Sequence, residues 1–201
     1  MKNNLLILCG FCLITVPALG QSASNLIATG RVFLAQKNIT NANANFRAAV
    51  TLSPTDETAN ALYAVTRVLV LPIQSPVKEF LDRLGVSQTN RSIYHWNTKV
   101  PRDTNGVPLA PSGVNASEAR AILRTNILTE ISAAAANLSK VTHTNFILNL
   151  TRDETTITDL TVDYGDVLML RAMLHAAEYF CYTIYSWNVD VQLAAIRSLF
   201  R

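Results

Sequence analysis

Residues 23–56, ASNLIATGRVFLAQKNITNANANFRAAVTLSPTD, read as two helices joined by a short polar turn. Leu26, Gly30 and Phe33 recur at helical spacing in the first half, and Ala42, Phe46 and Ala49 do so in the second. Small residues at Gly30, Ala42 and Ala49 let two helices approach closely, while Phe33 and Phe46 fill the space between them. Pro54 ends the second helix. On the opposite side of the first helix, Ser24, Ile27, Arg31 and Leu34 follow one another at three, four and three residues and share a face.

The spacing of these positions resembles a tetratricopeptide repeat, a helix-turn-helix unit of about 34 residues. Two positions depart from that family: Leu26 stands where Trp or another large residue is usual, and Thr29 where Leu is usual. Residues 56–71, DETANALYAVTRVLVL, begin as a second repeat should, with Asp56 as cap. Arg67 then takes the place of Phe33, and Pro72 breaks the chain. About one and a half repeats are therefore visible in residues 23–71, fewer than a free-standing solenoid needs. Whatever stacks on Tyr63, Val65 and Val68 has to come from elsewhere in the chain or from a partner. An ordinary helical hairpin in an unrelated bundle is the competing reading. The resemblance implies that the first helix of each hairpin lines a concave groove that takes a protein or peptide. By position that groove carries Ser24, Ile27, Arg31 and Leu34, then Thr58, Ala61 and Val65. Arg31 is the one charge among them, and a guanidinium with apolar neighbours suits a carboxylate from a peptide.

Residues 1–20 predict a secretory signal peptide: Lys2, the apolar run Leu5 to Val16, then Pro17-Ala18-Leu19-Gly20 with small residues for cleavage. The run is too short for a retained anchor, which takes about twenty residues. Cleavage removes Cys9 and Cys12 and leaves Cys181 alone, so the mature chain forms no internal disulfide. Cys181 sits in an apolar helical stretch and reads as a small buried hydrophobe. Lys2 is lost too, which brings the 17 basic residues still closer to the 14 acidic ones. With no Lys/Arg cluster, nothing argues for nucleic acid. Five Asn-x-Ser/Thr triplets, at Asn38, Asn90, Asn115, Asn137 and Asn149, are glycosylation acceptors only in a eukaryotic secretory route.

Further along, Ser75-Pro76 opens a short helix that Gly85 closes. Residues 86–114 lose periodicity and are punctuated by Pro and Gly; Tyr94, His95 and Trp96 within them read as a staple of the loop onto the core or as a ligand contact. Asn115 or Ser117 caps a long helix whose Leu123, Ile127, Ile131, Ala134, Leu138 and Val141 form one apolar stripe. Residues 146–150 are a strand or an extended connector. From Asp163 a strongly hydrophobic helix follows, carrying a polar stripe of Arg171, His175, Glu178, Tyr182 and Tyr185 that is incompatible with a simple membrane span. Val189 to Phe200 reads as a last amphipathic helix. The chain stops at Arg201 with neither cap nor tail, as a fragment of something longer would.

His175 and Glu178 are the sharpest chemical pair, because a spacing of three places imidazole and carboxylate on one face. The pair is similar to the His-x-x-Glu of imelysin-type exported helical proteins, without the glycine that precedes the histidine there. A metal site would need a third ligand from His95, His143, Asp153, Glu154, Asp159 or Asp163. Phosphate-loop and nucleophile-elbow motifs are missing. Asp103-Thr-Asn-Gly106 and Asp163-Tyr-Gly-Asp166 have the look of calcium-loop fragments, but turn and cap chemistry explains both.

The sequence thus predicts a mainly α protein: a signal peptide (1–20), a tetratricopeptide-like region (21–85), a loop (86–114) and a C-terminal helical region (115–201) that shares a domain with 21–85 or stands apart. Its function is read as that of an exported protein-binding or assembly module, periplasmic or extracellular, with no catalytic residue, no cofactor, and no stable membrane span once the signal is removed. The alternative is a metal-binding helical protein or metal-dependent enzyme using His175 and Glu178.

Overall fold

Helices in this chain begin where a side chain can satisfy the orphan amides of a first turn. In the computed structural model, which describes residues 21–86, 88–91, 102–107 and 113–186, this rule sets most of the boundaries. Ser22 caps α1 (Ala23–Ala35), Asn38 caps α2 (Ile39–Leu52) and Asp56 caps α3 (Glu57–Val70), each accepting from the backbone N–H three residues on. A 3-10 turn (Leu71–Ile73) leads to α4 (Val77–Arg83), which starts one residue beyond the expected Pro76. Asn115 caps α5 (Ala116–Ile122), which passes through a π turn (Leu123–Ile127) into α6 (Leu128–Leu138).

Of residues 146–150, the last four form a strand. β1 (Ile147–Leu150) pairs antiparallel with β2 (Leu160–Asp163), Leu148 opposite Val162 and Leu150 opposite Leu160. Between the strands lies α7 (Arg152–Thr155), and β2 runs directly into α8 (Tyr164–Ser186). Asp163 and Asp166 cap that last helix reciprocally, each carboxylate accepting the other residue's N–H at 3.0 Å. Asp103 likewise accepts from the N–H groups of Asn105 and Val107, so both aspartate motifs are turn and cap devices.

The helices stack in the spatial order α1, α2, α3, α6, α8. The partner that α3 needs comes from the far side of residues 71–115: α6 packs on it, and α8 packs on α6. Polar contacts fix that seam. Asn60, buried in α3, donates to the Pro54 and Asp56 carbonyls and accepts from Asn137 Nδ2 at 2.8 Å. Arg67 donates to Glu130 at 2.7 Å and to Asn137 at 3.1 Å. One buried cluster, from Leu34, Phe46 and Leu62 through Ile131 and Leu138 to Leu148, Val167 and Cys181, draws on both the N-terminal and the C-terminal regions. The fold is mainly helical. Among the described residues, no helix is long and apolar enough to cross a membrane. The signal segment 1–20, the Tyr94-His95-Trp96 cluster and the Val189–Phe200 stretch lie outside the described residues.

Candidate functional site

Arg31 reaches across to the strand-helix-strand segment. Its Nε donates to Glu154 Oε1 at 2.6 Å and its Nη2 to Oε2 at 2.9 Å, a bidentate pair, and Nη2 also donates to the Asn149 carbonyl at 2.6 Å. The carboxylate that suits this guanidinium is therefore supplied by the chain itself. Glu154 also accepts from the Thr151 N–H and hydroxyl, at 2.8 and 3.0 Å. Burial, the largest influence on Glu154, favours its neutral form; the bonds from Arg31 and Thr151 outweigh it and hold the carboxyl below its usual range. Lys37, in the α1–α2 turn, donates to the Asp153 carbonyl. These contacts clamp α7 and the two strands against α1.

Beside the clamp, α1, α3, the β1–β2 ribbon and α8 enclose an open cavity of about 570 Å³. This falls within the range of about 300–1,000 Å³ common for binding pockets. Leu34, Ala61 and Val65 of the expected groove line it, as do Leu62, Leu69, Leu148, Leu150, Val162 and Leu170. Its mouth carries exposed hydrophobics: Val65 (39%), Leu160 (46%), Met169 (60%) and Ile157 (80%). Of the other groove positions, Ser24 is exposed and outside the lining, Thr58 is half-buried and also outside it, and Ile27 packs on the core. Arg31 stands behind the wall, reaching the cavity only through Glu154.

Of the polar lining groups, Thr66, Glu154, Thr155 and Asp166 are engaged inside the chain. Thr66 Oγ1 donates to the Leu62 carbonyl at 2.9 Å and accepts from Asn43 at 3.1 Å. Thr155 Oγ1 donates to the Thr158 carbonyl, and Asp166 accepts from Asp163.

His175 and Glu178 do meet, Nδ1 to Oε2 at 2.7 Å, on the exposed side of α8. Glu178 is held below the usual carboxylate range chiefly by a hydrogen bond from Ser132 of α6, with His175 adding to it against a smaller effect of burial. Farther along the same stripe, Arg124 of the π turn donates to Tyr185 Oη at 2.6 Å. His143 pairs with Glu57 instead, and among the described residues no three His, Cys, Asp or Glu side chains gather as a metal-ligand set. Cys181 is buried, and burial followed by the Glu178 charge pushes its thiol up.

Sequence reasoning missed the C-terminal wall of the cavity: Leu148, Leu150, Leu160, Val162, Met169 and Leu170. It considered Glu154 only as a metal ligand, although Thr151-x-x-Glu154 is a capping-box signature that marks the short helix α7. Searches of protein-family models, of curated proteins and of solved structures find no match to this chain.

Proposed function

We propose that this chain is an exported interaction module of tetratricopeptide-like type, taking an apolar segment of a protein partner into the cavity beside α1 and α3. The observation that carries the reading is the convergence of Leu34, Ala61 and Val65 on one open cavity. The repeat pattern assigns the same three positions to the groove. The packing of α6 on α3 is in keeping with the reading, since the second helix of a hairpin packs on its first. Export rests on the sequence of residues 1–20.

A photo-crosslinking residue at Val65, on the mouth, tests the proposal against the same residue at Ser24, which is exposed but outside the cavity. Val65 is expected to yield a discrete protein adduct in the native extracytoplasmic fraction, and Ser24 none. Matching adduct patterns from the two positions, or none from Val65, overturn it.

A further inference from the structure

We infer that a second site, between α6 and the far half of α8, binds a small organic acid, with Arg124 and Tyr185 receiving its carboxylate. It is separate from the cavity above: Tyr182 lies roughly 18 Å along α8 from Leu170 of that cavity's wall, by helical rise.

The π turn, α6 and α8 line an open pocket of about 720 Å³, in which Arg124 is the one charged residue of the described lining. Arg31, Arg67 and Arg83 each reach another element through a carboxylate. Arg124 meets no carboxylate among the described residues. Its Nη1 donates to Tyr185 Oη at 2.6 Å, and the guanidinium carbon stands 4.9 Å from the centre of that ring. A guanidinium carries five N–H donors, so the fork keeps others for a ligand. Tyr185 accepts from a cation and still has its own proton to give, and that polarisation makes its hydroxyl a stronger donor. Side by side, the two groups offer an oxyanion a charge-assisted bond and a hydroxyl bond.

The backbone singles out the same place. Arg124 sits in the π turn Leu123–Ile127, where the Leu128 N–H donates to the Leu123 carbonyl. Single π turns inside helices are frequent at functional sites.

The rest of the lining sets the body of the ligand. Leu128, Ala133 and the half-exposed ring of Tyr182 provide an apolar bed. The Thr129 hydroxyl donates to the Thr125 carbonyl and that of Ser132 to Glu178, which leaves both as acceptors. Glu178 itself is outside the lining, held by Ser132 and His175. An inorganic ion leaves the apolar bed uncovered, whereas a carboxylate on a flat apolar body uses both parts.

Calorimetric titration of the full chain with benzoate, with its neutral isostere benzamide and with inorganic phosphate tests this. Benzoate is expected to bind about tenfold more tightly than benzamide. Arg124→Gln should abolish that preference, and Tyr185→Phe, which keeps the ring, should weaken benzoate about threefold at an unchanged melting temperature. Arg47→Gln, an exposed cation on α2, should change nothing. Equal affinity for benzoate and benzamide, no binding of either, or an equal loss from Arg124→Gln and Arg47→Gln overturns the site. If Arg124→Gln lowers the melting temperature, Tyr185→Phe decides alone, and unchanged benzoate affinity in it overturns the assignment. Phosphate binding more tightly than benzoate overturns the organic acid in favour of a phosphate-bearing ligand.

Discussion

The ring of Phe46 lies directly against the backbone of Gly30: a methyl group added at residue 30 would stand 2.8 Å from both Cδ1 and Cζ. Phe46 is fully buried, so the ring has nowhere to swing. Glycine is needed here for space, inside a regular helix. Gly30→Ala should overpack the α1–α2 contact by about 1–3 kcal/mol, exceeding the gain of about 1 kcal/mol in helix propensity. Ala42→Leu, at another fully buried position, should cost a similar amount, while Ala28→Leu on the exposed face should stay within about 0.5 kcal/mol. Urea unfolding of the three variants checks the ranking.

Arg31→Ala leaves the buried Glu154 carboxylate without its cation. A loss of about 1–3 kcal/mol is expected, scaled down from a fully buried pair because Arg31 is one-third exposed. Glu154→Gln in the Arg31→Ala background should recover part of it. A double-mutant cycle measures the coupling, and additive losses would show that the pair contributes nothing.

Glu57 gives the fold a defined acid limit. Its Oε1 accepts from the N–H groups of Thr142 (2.6 Å) and His143 (3.0 Å), and further bonds come from the Thr142 hydroxyl and the His143 ring. Burial, the largest influence, raises its pKa, but the four bonds together lower it to about 2. A folded pKa below the unfolded value means stability that is fully present above about pH 4.5 and lost as pH falls toward 2. Glu154 contributes in the same direction. The pH dependence of unfolding free energy should therefore be shallower for Glu57→Gln than for the parent across this window.

Cys181 should react with a thiol reagent only when the chain unfolds, because the side chain is 5% exposed and its thiol is disfavoured as thiolate. Labelling across a urea gradient should track the unfolding curve. Fast labelling of the native chain would place Cys181 outside the core.

Several helix ends were legible because they are written locally: Asp56 and Asn115 cap two helices and Pro54 follows a third. Gly30, Ala42 and Phe46 were legible as a packing set because they lie within one hairpin. The π turn at Leu123–Ile127 has neither glycine nor proline to betray it. β1 and β2 are four residues each, too short for alternation to stand out from a buried connector. Three residues of the cavity lining lie at positions that the repeat pattern assigns to a groove. Leu34, Ala61 and Val65 share faces on helices near in sequence, but Leu148, Val162 and Met169 complete the lining through tertiary contacts that leave no periodic trace. Arg31 misled for the same reason: its partner is Glu154, and nothing local in α1 announces it.

The seam between α3 and α6 also governs how the chain must find its fold. Contacts among α1, α2 and α3 close over short stretches, whereas Asn60 meets Asn137 across 77 residues. Loop closure costs grow only logarithmically, about 0.6 kcal/mol for each doubling of length, so the long separation of Asn60 from Asn137 takes little from equilibrium stability. The toll falls on rate instead, since non-local pairing slows folding. Mutations in the α1–α2 hairpin should act mainly on the early phase of refolding, and those at Asn60 and Asn137 on a later docking phase. Before that docking, the apolar side of α3 faces water, and a newly made chain is most exposed to aggregation during that interval.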